Sequence, residues 1–292
     1  MKQHCFESAY AKINLTLDVL GKRADGYHDL QMVMQTVSLC DRIAVRRGCG
    51  AGIRTQSNLG YLPDDDRNIA CQAARAFFEA TGITCDGVSI VMEKRIPVAA
   101  GLAGGSADGA AVLRALNRLY DARLPMQRLC EIGLTVGADV PFCLCGGTML
   151  AEGVGERLTR LPDLPACHVV LCKPGYGMST ARVFGALALA QVRRHPDTAQ
   201  VLAAIEAGDL PGVAKNMYNV LEEVVRAERR DIPAVENILL ECGALGAMMS
   251  GSGSTTFGLF LEEDAAKTAF YRLKKRSRET FLAKSCPGCA KT

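Results

Sequence analysis

Residues 97–108 form a glycine-rich segment whose composition and position suit the binding of an anion. The segment follows an alternating stretch typical of a strand and precedes a pattern typical of a helix. Glycines let a backbone approach an anion closely, and a helix N-terminus presents unpaired N–H groups and the positive end of its dipole. The sequence predicts either a phosphate-binding loop or a plain glycine-rich turn before a helix, and the segment alone favours neither. Its members are Pro97, Val98, Ala99, Ala100, Gly101, Leu102, Ala103, Gly104, Gly105, Ser106, Ala107 and Asp108.

The sequence does not contain the patterns of the better-known phosphate-binding loops, which excludes those loop types. A Walker loop ends in Gly-Lys-Ser or Gly-Lys-Thr, and a dinucleotide loop needs Gly-x-Gly-x-x-Gly early in a βαβ unit with an acidic residue further on. Neither pattern is present, and the His-Arg-Asp and Asp-Phe-Gly elements of protein kinases are absent. Ser106 is placed either to cap the following helix or to contact a phosphate or its magnesium ion.

Two distant segments give the glycine-rich loop a more specific meaning. Residues 9–15 read Ala-Tyr-Ala-Lys-Ile-Asn-Leu, and residues 249–255 read Met-Ser-Gly-Ser-Gly-Ser-Thr. In this order and at this separation, the three segments resemble the three motifs of the GHMP kinases, named for their galactose, homoserine, mevalonate and phosphomevalonate members. Ala103, Ala107 and Ser254 depart from the glycine, serine and proline that are common at these places in the family.

The resemblance narrows to one branch of that family. Residues 19–28, Val-Leu-Gly-Lys-Arg-Ala-Asp-Gly-Tyr-His, are similar to the opening of the kinases that phosphorylate 4-diphosphocytidyl-2-C-methyl-D-erythritol in the non-mevalonate isoprenoid pathway. Residues 137–142 resemble the catalytic segment of that branch, and residues 174–184 its substrate-binding turn. The likeness covers nearly the whole chain and is weakest between residues 185 and 240.

The resemblance implies a two-domain α+β fold. Residues 1–161 would form a domain like domain 2 of ribosomal protein S5, and residues 162–292 a ferredoxin-like domain. ATP, with Mg²⁺, and a small-molecule substrate would meet in the cleft between them.

Two residues are implied as the catalytic pair. Asp139 would be the general base that accepts the proton of the substrate hydroxyl. Lys12 would hold the hydroxyl oxygen and favour the ionised carboxylate. In another context a lone aspartate in such a loop would be a cap and a lone lysine on a strand would be solvated.

Further residues are implied in binding. Tyr27 and Phe184 would stack on the two faces of the cytosine, and His28 would hydrogen-bond its edge; a loop aromatic covering core beside a surface histidine is the commoner fate of such residues. Asn14 and Thr180 would contact polar groups of the substrate. Lys94 and Asn68 would reach the ATP.

Two other functions stay open at this point. The first is another GHMP small-molecule kinase, acting on mevalonate or homoserine, which the Tyr27-His28 segment disfavours. The second is a non-catalytic relative that senses a ligand, which the presence of both Lys12 and Asp139 disfavours.

Composition excludes several other classes. The 292 residues are 49% hydrophobic and 22% charged, with a formal net charge of +3, so neither nucleic acid nor a membrane surface is an expected partner. No apolar run approaches the roughly 20 residues of a membrane span, and the first residues do not follow a signal-peptide pattern. We expect a cytoplasmic protein that is a monomer or a weak homodimer.

The 13 cysteines fit a reducing compartment. Two close pairs, Cys143 with Cys145 and Cys286 with Cys289, lack the two further ligands that a zinc site needs. We therefore expect no metal held by protein side chains alone.

Periodicity predicts the elements that must position these residues. Strands are expected over residues 6–19, 32–39, 43–47, 87–93, 141–151, 168–172, 247–250 and 256–261, with a loop at 21–28. Helices are expected over residues 68–81, 125–136, 180–189, 199–207, 232–242 and 264–278, and directly after the glycine-rich loop. Two prolines in residues 161–165 mark the expected linker between the domains.

Overall fold

Two β-sheets with helices packed on them organise residues 3–287, the part of the chain that the computed structural model describes. The strands are β1 (His4–Lys22), β2 (His28–Arg47), β3 (Ile53–Ser57), β4 (Val88–Glu93), β5 (Thr148–Gly153), β6 (Arg157–Arg160), β7 (His168–Cys172), β8 (Tyr218–Asn219), β9 (Gly246–Met249), β10 (Thr256–Phe260) and β11 (Thr280–Lys284). The helices are α1 (Ile69–Thr81), α2 (Gly104–Leu119), α3 (Met126–Val136), α4 (Val140–Cys145), α5 (Thr180–Ala186), α6 (Thr198–Glu206), α7 (Leu210–Asn216), α8 (Val220–Glu228), α9 (Asp231–Glu241) and α10 (Glu263–Lys274), with a short 3₁₀ turn at Leu189–Gln191.

The first sheet is built on two long antiparallel strands, β1 and β2. The first half of β2 pairs with β5 and its second half with β4, so one continuous strand replaces the two that the sequence predicts. The expected loop shrinks to residues 23–27. The pairing of β1 with β2 is irregular between Tyr10 and Lys12 and again between Asn14 and Thr16. Such irregularities re-aim side chains, and they flank the two motif residues of β1.

Helices α1 and α2 follow the sequence closely. Asn68 caps the start of α1 through its side chain, and Gly82 ends the helix in the left-handed conformation at φ 68°. The two helices pack where glycines of α2 face Ile69. A Cβ on Gly105 would lie 2.8 Å from Ile69 Cδ1, so a larger residue here would displace the end of the Ile69 side chain.

The strand predicted over residues 141–151 is wrong in its first part and confirmed over residues 148–151. Residues Val140–Cys145 form helix α4, and β5 begins only after Gly146 and Gly147, which have φ values of 62° and 85°. Pro141 stands in the first turn of α4, where its fixed φ suits a helix. A short apolar run that is buried on every side has no periodicity to separate helix from strand.

The second sheet has the order β11-β7-β10-β9, with every neighbouring pair antiparallel. Helices α9 and α10 cover one face through a core that includes Leu239, Phe260 and Leu273. The last helix ends at Lys274 instead of Arg278, and β11 follows it. The α+β class is confirmed.

The boundary expected between residues 161 and 162 stays a prediction. It falls between β6 and β7, and β8 from the later part of the chain pairs with β1 of the first sheet. Of the cysteines in the expected tail pair, Cys289 lies outside the described residues. Among residues 3–287, no helix has the length and apolar character needed to cross a membrane.

Candidate active site

One cavity of about 1200 Å³ gathers most of the residues singled out in the sequence. Its wall includes parts of β1, the glycine-rich loop, the turn before α4, helix α5 and the segment after β9. The predicted site residues on this wall are Lys12, Tyr27, His28, Asn68, Lys94, Pro97, Val98, Ala99, Ala100, Gly101, Leu102, Ala103, Gly104, Gly105, Ser106, Asp139, Thr180 and Phe184. Asn14 and Ala107 are buried behind the wall.

The three sequence motifs meet through their backbones. Lys12 N donates to Leu102 O at 3.2 Å, which joins the first motif to the glycine-rich loop. Ser250 of the third motif donates from Oγ to Gly101 O at 3.0 Å and accepts from Asn14 N at 3.3 Å. A Cβ on Gly101 would lie 2.0 Å from Ser250 O, so only glycine permits this approach. Segments more than 200 residues apart therefore form one unit.

The backbone conformation of the glycine-rich loop suits the approach of an anion. Ala99, Gly101 and Ala103 have φ values of 50°, 74° and 56°, all in the left-handed region. Ala103 ends the loop as the N-cap residue of α2 and makes no side-chain cap. The N–H groups of the first turn of α2 thus have no side-chain partner at Ala103 and lie at the positive end of the helix dipole. Ser106 is the third residue of α2 and does not cap it, so contact with a phosphate or its magnesium ion stays as the other predicted role.

Lys12 and Asp139 both line the cavity, but they are not paired with each other. The Lys12 ammonium, 5% exposed, donates to Asn14 Oδ1 at 2.6 Å. Asn14 therefore orients the Lys12 side chain. Asn14 itself is fully buried, whereas the sequence predicts that it contacts the substrate. Asp139 precedes α4, and its carboxylate makes no capping hydrogen bond to that helix. Among the described residues no ion pair joins Lys12 to Asp139, so the carboxylate is left available on the cavity wall.

Lys94 belongs to a buried ionic cluster beneath the glycine-rich loop. Its ammonium lies between the carboxylates of Asp41 and Asp108, hydrogen-bonded to both. Burial alone would lower the pKa of Lys94, but the charges of Asp108 and Asp41 outweigh it and raise that pKa. Burial raises the pKa of Asp108 to about 7 against the opposing charge of Lys94, and the Asp41 carboxylate adds to the rise. Two carboxylates thus share one cation.

This cluster fixes both ends of the glycine-rich loop. Asp41 Oδ1 accepts from the backbone of Arg95 at 2.5 Å and of Ile96 at 2.7 Å, just before the loop begins. Asp108 stands on α2, just after the loop ends. Lys94 was expected to reach ATP directly; its ammonium instead ties β2, the loop entry and α2 together.

Asn68 also has structural partners for both polar groups of its side chain. Its Oδ1 accepts from Ala70 N at 2.9 Å, and its Nδ2 donates to Pro63 O at 2.7 Å. The cavity wall near it is apolar. The apolar side chains at this end are Leu62, Ile69, Met92 and Ile96.

The other end of the cavity is aromatic. The rings of His28 and Phe184 lie with centroids 5.2 Å apart and planes 30° from parallel. Tyr27 is 64% exposed at the mouth. Thr180 Oγ1 lies 2.9 Å from Ser252 Oγ and so connects α5 to the third motif. Phe184 thus packs against His28, whereas the sequence predicts it opposite Tyr27.

Comparisons with known proteins agree with this arrangement. The family profile described as "GHMP kinases N terminal domain" matches residues 68–147, and "GHMP kinases C terminal" matches residues 201–279. Curated proteins named 4-diphosphocytidyl-2-C-methyl-D-erythritol kinase match along their length. The one from Clostridium botulinum is 43% identical over 95% of this chain and 98% of its own, and the one from Acetivibrio thermocellus is 46% identical over 95% and 97%.

The chain belongs to the GHMP kinase family. A crystal structure of a 4-(cytidine 5'-diphospho)-2C-methyl-D-erythritol kinase superposes with a TM-score of 0.82 at 36% identity, covering 97% of this chain and 100% of the other. The homoserine kinase from Cytophaga hutchinsonii superposes with a TM-score of 0.80 at 21% identity, over 99% and 96%, which shows the shared fold. The expected family, its branch and its two-domain fold are confirmed.

Several residues of this GHMP kinase site were not singled out as site residues in the sequence. Asp108 lies within residues 97–108, in the first turns of α2. An acidic residue at such a position beside a glycine-rich loop is the feature of the sequence that indicates a role for it. Asp41 carries no motif at all and is recognisable only from the fold. Ser250 and Ser252 lay within the third motif but were given no role.

Proposed function

We propose that this GHMP kinase transfers the γ-phosphoryl group of ATP to the 2-hydroxyl of 4-diphosphocytidyl-2-C-methyl-D-erythritol, a step of the non-mevalonate route to isoprenoid precursors. The observation that carries the proposal is the content of one cavity: a left-handed anion loop, a buried lysine, an unpaired aspartate and a cluster of aromatic rings. The named relatives support the choice of substrate.

The two ends of the cavity suit the two ligands. The apolar end, beside Ile69 and Ile96, offers a flat nucleobase a dry wall next to the first turn of α2. The aromatic end, with Tyr27, His28 and Phe184, offers the cytosine stacking surfaces and one imidazole for its polar edge. The phosphates of ATP would lie between these ends, against the loop N–H groups.

Phosphoryl transfer then proceeds between Lys12 and Asp139. The Asp139 carboxylate accepts the proton of the 2-hydroxyl while that oxygen bonds to the γ-phosphorus and the bond to the bridging oxygen of ADP breaks. The Lys12 ammonium, held by Asn14, stabilises the negative charge that develops on the oxygens. Since the transition state is loose, positioning and charge account for most of the rate.

Magnesium fits the donor set of this cavity. The Ser106 hydroxyl is an oxygen donor on the cavity wall, and a Cβ built on Gly137 would lie 3.9 Å from its Oγ, so the hydroxyl is near the turn before α4. Mg²⁺ takes one or two such oxygens together with phosphate oxygens and water. When bound, the ion would neutralise phosphate charge. Within residues 3–287 no group of three or more His, Cys, Asp or Glu side chains could hold a metal by itself.

To test this function, the purified protein is incubated with ATP and each of a panel of alcohols. We expect ADP release and a phosphorylated product with 4-diphosphocytidyl-2-C-methyl-D-erythritol, and no more than background with mevalonate or homoserine. Phosphorylation of a small free alcohol in preference to the cytidylylated polyol would overturn the substrate assignment. Nucleotide binding without transfer to any acceptor would favour the ligand-sensing alternative.

The composition also supports a proposal about the cellular compartment and the partners of this enzyme. The 13 cysteines and the small net charge support a cytoplasmic enzyme without a nucleic-acid partner. A monomer or weak homodimer is the proposed state.

A further inference from the structure

Two thiols meet between helices α3 and α4, the helices that are connected by the turn carrying Asp139. Cys130 Sγ of α3 and Cys145 Sγ of α4 lie 3.6 Å apart, at hydrogen-bonding distance. Both side chains are partly exposed, so a small oxidant can reach them. Neither thiol lines the cavity, and the proposed reaction uses neither.

We propose that Cys130 and Cys145 form an oxidisable dithiol, which a peroxide converts into a disulfide that tethers α3 to α4. The geometry supports it, because a disulfide has an S–S distance of about 2.0 Å and the two sulfurs already face each other across a helix contact. No metal or further residue is required.

The surroundings of Cys145 favour its ionised form, which is the reactive one. The hydrogen bond from Cys130 stabilises the Cys145 thiolate, and the positive charge of Arg160 adds to this, so the pKa of Cys145 falls to about 7. The same hydrogen bond raises the pKa of Cys130. Cys145 is therefore the attacking sulfur and Cys130 the resolving one.

The chemistry balances with hydrogen peroxide as the oxidant. The Cys145 thiolate attacks one peroxide oxygen, the O–O bond breaks, and the departing hydroxide takes a proton to leave as water, which gives a sulfenic acid. Cys130 sulfur then attacks the sulfenic sulfur, its own proton leaves with the hydroxyl, and a second water forms. Two thiols and one peroxide thus give one disulfide and two waters.

The tether would act on the turn that holds Asp139. Helices α3 and α4 already touch at Gly133, where a Cβ would lie 2.8 Å from Val140 Cγ1, so they cannot move together there. Closing the sulfur–sulfur gap must instead rotate the thiols or tilt the six-residue helix α4 about that contact. Asp139 directly precedes α4 and would be re-aimed by such a tilt. This consequence, unlike the thiol site itself, rests on the proposed kinase function.

The experiment treats the full-length reduced protein with limiting hydrogen peroxide and maps the products by peptide mass spectrometry. We expect a peptide pair cross-linked through Cys130 and Cys145 with the loss of two hydrogens, formed before other cysteines are oxidised and reversed by dithiothreitol. Cys130→Ser should accumulate a Cys145 sulfenic acid that dimedone traps. Cys85→Ser, which removes a similarly exposed thiol elsewhere, should cross-link as the wild type does.

The proposal has two parts, the oxidisable thiol pair and its effect on Asp139, and a different result would overturn each. The absence of this cross-link, or its formation no faster than that of other cysteine pairs, would remove the thiol site. A complete cross-link with unchanged turnover would remove the effect on Asp139, for which we expect roughly a tenfold, reversible loss. If the reduced protein transfers no phosphoryl group at all, the proposed function fails while the mass map still tests the site.

Discussion

At the scale of single residues, Asp139 is the group whose chemistry can be tested most directly. Asp139→Asn changes little in size and breaks no capping hydrogen bond, so the fold and ATP binding should persist. Loss of the proton acceptor should lower kcat by roughly 10² or more. Steady-state kinetics, with ATP affinity by calorimetry as the control, measure this. A turnover near that of the wild type would exclude Asp139 as the base.

Recognition of the cytosine is a second prediction at this scale. Tyr27→Ala and His28→Ala should each lower kcat/KM for the cytidylylated substrate by roughly ten- to a hundredfold, because a stacking contact is worth about 1–3 kcal/mol and an unpaired buried edge costs as much. ATP hydrolysis without an acceptor should change far less, since neither residue belongs to the glycine-rich loop. The wild type should reject the uridine analogue, and His28→Ala should reject it less. Equal efficiency of both variants and the wild type would show that this segment does not read the base.

The sequence identified most of the cavity wall residue by residue, but it could not assign partners. Lys12 and Lys94 both look like cations free to meet a ligand when only the sequence is known. In the structure Asn14 holds Lys12, and two carboxylates that are distant in sequence hold Lys94. Asp41 comes from β2, and only the pairing of β2 with β4 brings it beneath the loop. Motifs record residue types, whereas ion pairs depend on how strands are ordered.

At the scale of elements, the ionic cluster joins β2, the loop entry and α2. Lys94→Met should leave the Asp41 and Asp108 carboxylates buried without a cation, and we expect a loss of about 3–5 kcal/mol in the free energy of unfolding. Asp108→Asn removes the surplus charge and should cost little at pH 8. Chemical denaturation of the two variants beside the wild type measures the difference. Equal destabilisation of the two variants at pH 8 would contradict the interpretation that one lysine balances two carboxylates.

The ionic cluster also predicts that the free energy of unfolding depends on pH. The pKa of Asp108 is raised to about 7 in the folded protein from 3.8, so the folded state binds more protons than the unfolded state between these values. Stability from this group is therefore present at low pH and is lost as pH rises from about 4 to 7. Asp108→Asn should lack this slope in unfolding free energy, while a control variant at exposed Asp264 should keep it.

Elements were predicted well where their ends are marked and poorly where burial is uniform. Asn68 and Gly82 delimit α1 in the sequence, and the structure agrees with both. Residues 141–145 are predicted as a strand because the run is short, apolar and buried up to Leu144, which leaves no periodicity to separate a helix from a strand. The loop conformation was predicted in kind, yet the left-handed φ of Ala99 and Ala103 was not, since alanine gives no signal for it.

At the scale of the whole molecule, the contact between Gly101 and Ser250 joins the two parts of the chain at the glycine-rich loop. Gly101→Ala adds a Cβ that would lie 2.0 Å from Ser250 O and strains a residue with φ of 74°, so the loop and the third motif must separate. Strain of this kind costs about 1–3 kcal/mol, and we expect a lower melting temperature and at least a tenfold loss of ATP affinity. Gly60→Ala is the matched control, because its Cβ meets nothing within 4 Å and its φ is not in the left-handed region. Calorimetry and thermal denaturation with and without ATP would measure both effects. A folded Gly101→Ala protein that binds ATP as tightly as Gly60→Ala would show that nucleotide binding does not depend on this junction.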